Sequence, residues 1–302
     1  MTHPSFPGPG STDIALSVRT HDRVGERRTD QAWLAETWAD PRTRVVPVAG
    51  TLFPVDDAGD AVRWHGSGDV PADGLRIFLG RLDDVAHFAV EVNEPTDDGR
   101  WTGFRAVVST LPEPDAGFMV HAIALAEWHA THRYCPRDGS PLHAYDAGHV
   151  LRCEENGHQQ FPRTDPAVIM MVTDGDRALL ARQASWPEGR YSTLAGFVDP
   201  GESLEEAVIR EVREETGVQV TDVTYFGNQP WPFPQSLMIG FFARATSTDI
   251  QVDGAEISDA RWFTRERMRA ESEAGTLVLP GGISISRSLV EAWYGGPLPG
   301  SW

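Results

Sequence analysis

The spacing of apolar and polar residues changes several times along the chain, and each change marks an element. Residues 1–30 keep no sustained period and are rich in Pro, Gly and polar residues, which reads as a loose lead-in. From Gln31 to Arg105 a short helix-like piece, QAWLAETWAD, precedes the alternating segments RIFLG and HFAVEV, which predict strands. The run HAIALAEWHATHRYC sets Ile123, Leu125, Ala126, Trp128 and Ala130 at helical spacing and closes this first unit. Pro, Gly and Asp then cluster from Pro136 to Gly148, the texture of a small loop-rich insert. From Pro166, AVIMMVTDGDRALLARQ predicts two buried strands joined at Asp174-Gly175. A strand-like SLMIGFFARA and a helix-like SISRSLVEAWY follow. The expected division is an α+β domain over 1–130, an insert over 131–163 and an α/β domain over 164–302.

One helix is marked at both ends. Ser203 with Glu206 three residues on makes a capping-box pattern, and Gly217 supplies a stop, so a helix runs from about Ser203 to Thr216. At about 100° per residue, Leu204, Ala207, Val208 and Val212 share one face, while Glu206, Arg210 and Arg213 fall on the opposite one. Glu211 and Glu215 land inside the apolar arc and Glu214 at its margin. A solvated run of charge would face away from the core, and like charges three and four residues apart repel. Inward carboxylates need neutralising, either by a proton or by a hard divalent cation. Mg²⁺ or Mn²⁺ suits them, because each takes carboxylate oxygens and keeps waters for substrate phosphates.

Composition narrows the chemistry. A net charge of −18 argues against non-specific nucleic-acid binding and against docking on anionic membranes, without excluding a local arginine-lined site. All 26 basic residues are Arg, so no lysine nucleophile or Schiff base is available. The sequence lacks an apolar run of bilayer length and starts with a polar, Pro/Gly-rich stretch unlike a signal peptide, so a cytoplasmic location without membrane attachment is expected. Cys135 and Cys153 are too few for a disulfide framework.

Gly196, Glu202, Arg210-Glu211-Val212 and Glu214-Glu215-Thr216-Gly217-Val218 match G-x5-E-x7-R-E-U-x-E-E-x-G-U at every fixed position, and the segment resembles the Nudix box. The resemblance implies an α/β/α sandwich with a mixed sheet, and a reaction in which water attacks a pyrophosphate linked to a second moiety. By it, Glu211 and Glu215 are the expected metal ligands. Glu202 and Arg210 would brace the loop by a charge-assisted hydrogen bond, and Glu214 is a further ligand or base candidate. The general base stays unassigned.

Downstream, GNQPWPFPQSLMIGF alternates three prolines with Trp231 and Phe233, which stiffens the backbone and fixes two aromatic faces. Such a platform stacks a flat heterocycle at low entropic cost. The run Gln229, Pro230, Trp231, Pro232, Phe233, Pro234, Gln235, Ser236 resembles the substrate motif of the NADH pyrophosphatase subfamily, the NudC-like enzymes that also remove NAD caps from RNA. Asn228 stands where that subfamily has a leading serine. The resemblance adds Glu256 and the main-chain oxygen of Ala195 as metal contacts. It adds Ser286, Arg105 and Phe161 as substrate contacts, Phe161 replacing a tyrosine. The subfamily's lysine contact has no counterpart in this chain. A homodimer is implied as well.

The subfamily's C-x2-C…C-x2-C zinc ribbon is degenerate here, reading Cys135-Pro-Arg-Asp138 and Cys153-Glu-Glu-Asn156. Cys135, Asp138, Cys153 and His158 are the zinc candidates, with His143 and His149 as further substitutes; the alternative is a ribbon held by packing, with two reduced thiols. The expected activity is metal-dependent cleavage of NADH or NAD⁺ to nicotinamide mononucleotide and AMP, with NAD-capped RNA as a second substrate. Two alternatives stay open: hydrolysis of other nucleoside diphosphate derivatives, such as ADP-ribose or diadenosine compounds, and a nucleotide sensor that does not cleave.

Overall fold

The computed structural model describes residues 14–17, 20–96, 99–252 and 254–300. It divides into two compact units. Of the described residues, the first unit comprises those between 20 and 164 together with 232–235, and the second 14–17, 165–231 and those between 236 and 300.

The first unit opens with α1 (Gln31–Ala39), whose N-cap Asp30 accepts from the Trp33 amide. β1 (Arg44–Val48), β2 (Leu52–Pro54), β3 (Leu75–Leu82), β4 (Val85–Glu91) and β5 (Trp101–Gly103) follow. β4 is the centre of a three-stranded sheet, parallel to β1 and antiparallel to β3. Asp83 and Asp84, both at positive φ, make the two-residue turn whose twist suits a β3–β4 hairpin. Trp33 and Trp38 of α1 meet Phe78 and Phe88 edge-on, at 5.4 and 5.1 Å between ring centroids.

A short α2 (Phe104–Val107) leads to α3 (Glu113–Thr131). This helix starts eight residues before the periodic stretch at His121, because Pro114 sits in the first turn, where its missing N–H is no loss. Close packing also conceals its early part. A Cβ on Gly117 would lie 2.1 Å from the Thr20 hydroxyl, so the helix can approach that segment only with glycine there. The expected loose lead-in is likewise corrected in part: Asp22 exchanges two backbone hydrogen bonds with Arg81. Residues 1–13, 18 and 19 of that lead-in lie outside the described residues. A small antiparallel sheet of β6 (Leu142–Tyr145), β7 (Val150–Cys153) and β8 (Gln159–Gln160) ends the unit.

The second unit is built on β9 (Asp165–Thr173), β10 (Arg177–Gln183), β11 (Leu194–Phe197), β12 (Val220–Trp231), β13 (Ser236–Ala245) and β14 (Ile257–Thr264). Strand order is β12-β13-β9-β10-β14, with β11 also on β9. β13 runs parallel to β9 and the other pairs are antiparallel, giving the mixed sheet. β9 is buried on both faces, which is why it reads as unbroken apolar sequence. Its alternation sorts the core. Val168, Met170 and Val172 join Ala207, Val208 and Val212 of α4 (Leu204–Thr216), while Ile169 and Met171 join Leu289, Val290 and Trp293 of α6 (Ile285–Tyr294). Helices on both faces make the α/β/α sandwich, and α5 (Arg265–Glu273) adds Met268 to the α6 side. Among the described residues no helix is long and apolar enough to cross a membrane.

Candidate active site

The site begins at the cap of α4. Ser203 accepts from the Glu206 amide at 3.2 Å and Glu206 accepts from the Ser203 amide at 3.4 Å, while Gly217 at φ 71° ends the helix. These two signals set the register of the carboxylates between them. Glu215 is 5% exposed, Glu211 half-buried, and Glu214 points outward at 53% side-chain exposure.

Arg210 organises the loop in front of the helix. Its guanidinium donates to both Glu202 oxygens at 2.8 and 2.9 Å, to Glu211 at 2.7 Å, to Glu214 at 3.1 Å and to the Phe197 carbonyl at 2.9 Å. Glu202 also accepts from the Asp199 amide at 3.1 Å. The Arg210 hydrogen bonds hold the Glu202 carboxyl below its ordinary range. Glu211 is shifted the other way. Burial raises it more than Arg210 lowers it, and the Glu214 and Glu256 charges add repulsion. That repulsion places Glu256, just ahead of β14, in the electrostatic range of Glu211.

Gly196 explains how Glu211 reaches the sheet. A Cβ there would lie 2.0 Å from the Glu211 carboxyl carbon, so the side chain lies directly against the β11 backbone. Because the obstructed atoms are the mobile end of a side chain, Gly196→Ala is expected to move the carboxylate rather than unfold the domain. Turnover should fall by about tenfold or more with the thermal midpoint held within a few degrees, checked by kinetics beside calorimetry.

Glu211, Glu215, Glu256 and the Ala195 carbonyl are hard oxygen donors, the set that suits Mg²⁺ or Mn²⁺ rather than a soft metal. Glu215 and Ala195 line a cavity of about 450 Å³ together with Trp186, Gln229, Trp231 and Met238. Trp186 was not singled out by its sequence; its one local signal is the Trp-Pro step in ASWPEG, where a turn leaves an aromatic half-buried. Ser286 lines the same cavity, saturated by Ser192 Oγ at 2.8 Å, Thr193 Oγ1 at 2.9 Å and the Thr193 amide at 3.2 Å. Pro230, Trp231 and Ser236 lie where β12 and β13 pair, Pro230 opposite Leu237 and Trp231 opposite Ser236.

Pro232, Phe233, Pro234 and Gln235 belong to the other unit. There the Arg105 guanidinium lies 4.2 Å from the centroid of the Phe233 ring, and Phe104 stacks on Phe233 at 5.9 Å. The expected substrate arginine is thus brought to the expected substrate aromatic. Phe161, after β8, is 63% exposed.

Three of the four ribbon corners come together as possible ligands, and Asn156 stands at the fourth. Among the described residues the ligand atoms of Cys135, Asp138 and Cys153 lie within 4.8 Å of one another, and no histidine joins them. His158 instead shares a 2.8 Å hydrogen bond between its Nε2 and Gln160. Asn156 fills the fourth corner with its amide nitrogen inward, donating to Asp138 and, at 3.6 Å, to Cys135 Sγ. That orientation is fixed from outside, because Asn156 Oδ1 accepts from the His158 amide at 2.8 Å. A donor hydrogen where a cation needs a lone pair does not fit a closed, four-ligand zinc site.

Residues 163–278 match the description NUDIX domain, residues 30–128 the NADH pyrophosphatase-like rudimentary NUDIX domain, and residues 130–161 the NADH pyrophosphatase zinc ribbon domain. The NAD-capped RNA hydrolase NudC of Mycobacterium bovis is 39% identical over 295 residues, covering 90% of this chain and 92% of that one. This chain belongs to the NudC family of Nudix hydrolases. NudC of Stutzerimonas stutzeri is 37% identical, over 86% of this chain and 90% of its own. The NAD-capped RNA hydrolase NUDT12 of Macaca fascicularis is 42% identical over 90% of this chain and 71% of its own. In this NudC family member the box and the degenerate ribbon fall inside the matched regions, whereas the cavity extends past them to residues between 280 and 286.

Proposed function

We propose that the chain is a divalent-metal-dependent pyrophosphohydrolase that cleaves NADH or NAD⁺ to nicotinamide mononucleotide and AMP, and that removes NAD caps from RNA. The observation that supports this reading is that one cavity is lined by Glu215 and Ala195 together with Trp231 and Trp186. A dinucleotide offers matching chemistry, with a diphosphate beside flat rings.

In this reading Glu211, Glu215, Glu256 and the Ala195 carbonyl hold Mg²⁺ or Mn²⁺. When bound, the ion offsets the diphosphate charge and lowers the pKa of the attacking water. Arg210 and Glu202 keep the loop closed on the helix, and Trp231 offers the stacking face that fixes the nucleotide. Water attacks one phosphorus, the bridging P–O bond breaks, and the water's protons end on the two phosphate products or solvent. A cytoplasmic, homodimeric enzyme belongs to the same reading, supported by family membership alone.

Incubation with Mg²⁺ or Mn²⁺ and each of NADH, NAD⁺, ADP-ribose and NAD-capped RNA, with the products resolved, tests it. Appearance of AMP with reduced nicotinamide mononucleotide is expected. Turnover of ADP-ribose alone, or binding without products, would replace this reading by another hydrolase or by a sensor. EDTA should abolish activity and added Mn²⁺ restore it.

For the ribbon we propose closure without zinc, on the amide arrangement of Asn156. Elemental analysis of the purified chain should find far less than one zinc per chain, and EDTA should leave the thermal midpoint unmoved. One tightly held zinc per chain would overturn the proposal.

A further inference from the structure

We infer that Ile14–Ser17 form a strap that positions the wall of the substrate cavity through Gln229. These residues belong to the same compact unit as the Nudix sheet, although most of the first unit separates them from it in sequence. Ile14 is 2% exposed, in the core cluster that contains Phe226, Ile285 and Leu289. The Ala15 carbonyl accepts from Gln229 Nε2 at 2.7 Å, and the Ser17 hydroxyl donates to the Asn228 carbonyl.

Gln229 is 1% exposed, and its side chain is spent on protein. Nε2 also donates to the Ile283 carbonyl at 2.6 Å, and Oε1 accepts from the Ile285 amide at 3.0 Å. A primary amide has two donor hydrogens, so none is left for a ligand. Gln229 is therefore a positioning residue, joining the strap, the Ile283–Ile285 segment and β12, where it stands two residues before Trp231 on the same strand face. Ile283, Ser284, Ile285 and Ser286 line the cavity that Trp231 lines. If the strap lifts, a buried N–H loses its acceptor, and Gln229 must turn toward water or the cavity. The wall then loosens while Glu211 and Glu215, carried on α4, keep their places.

The kinetic arm of the test rests on the proposed dinucleotide activity, and the exchange arm does not. In the full chain, Ile14→Ala and Gln229→Met should each raise KM for NADH about tenfold with kcat within about twofold, a loss of uniform binding. The double variant should be no worse than the more affected single one, because both act through the same contact. Hydrogen exchange of the peptide covering 283–287 should quicken in Ile14→Ala. Additive KM effects, or unchanged exchange in that peptide, would overturn the strap. If the unmodified chain cleaves no dinucleotide, the proposed activity fails, and exchange alone decides the inference.

Discussion

Replacing Glu215 by glutamine is expected to lower kcat by about three orders of magnitude and to leave the fold intact. The two side chains have nearly the same shape, so the buried position stays filled. What changes is charge. An amide holds a hard dication far more weakly than a carboxylate, and Glu215 is the most buried acidic group of the box. Without metal, Glu211 already feels repulsion from Glu214 and Glu256. An uncharged amide of similar shape costs less to bury than a carboxylate, so the thermal midpoint should hold within a few degrees. The check is product formation from NADH beside thermal unfolding of the same samples. More than about a tenth of the original turnover in Glu215→Gln would sink the metal assignment.

The same helix shows why this part of the molecule could be read directly. Ser203, Glu206 and Gly217 act within a few residues of themselves, so cap, register and inward carboxylates follow from local geometry. The two hydrophobic layers were legible at β9, where burial on both faces leaves no polar position. β14 was not. Among the described residues it pairs with β10 alone, and Asp259 and Arg261 interrupt its apolar pattern. α5 is mostly charged, and only Met268 and Ser272 are buried, so its periodicity is faint.

Long-range contacts were the harder part. Nothing near Gln229 in sequence says whether its amide faces a ligand or Ala15 and Ile283. Trp186 joins Trp231 in one cavity only through the sheet that carries both segments. Glu256 and Ala195 entered by resemblance. The structure adds the coupling of Glu256 to Glu211 and the glycine gap at Gly196.

Acid should weaken the first unit, and the cause lies in its buried histidines. His21, His87 and His149 are each held down to about 4, first by burial. Arg23 adds to the shift at His21, Arg44 at His87, and Arg28 with Arg23 at His149. His121, whose Nε2 lies 3.1 Å from His149 Nε2, is lowered too, by burial and then Arg23. Above an unfolded value near 6.5 both states are neutral and nothing is lost. Below it the unfolded chain takes protons that the folded unit refuses, so stability falls as pH drops from 6.5 towards 4. At pH 5 the loss is roughly 2 kcal/mol each for His87 and His149, and less for His21, which is only half-buried. A loss of that order is a large share of a domain's usual margin. Urea midpoints followed from pH 7.5 to 5 should therefore fall steeply, and His149→Gln should flatten the slope by about one proton's worth. Equal slopes in the two proteins would mean that the His149 imidazole titrates freely in the folded unit, and that its packing beside His121 does not exclude the charged form.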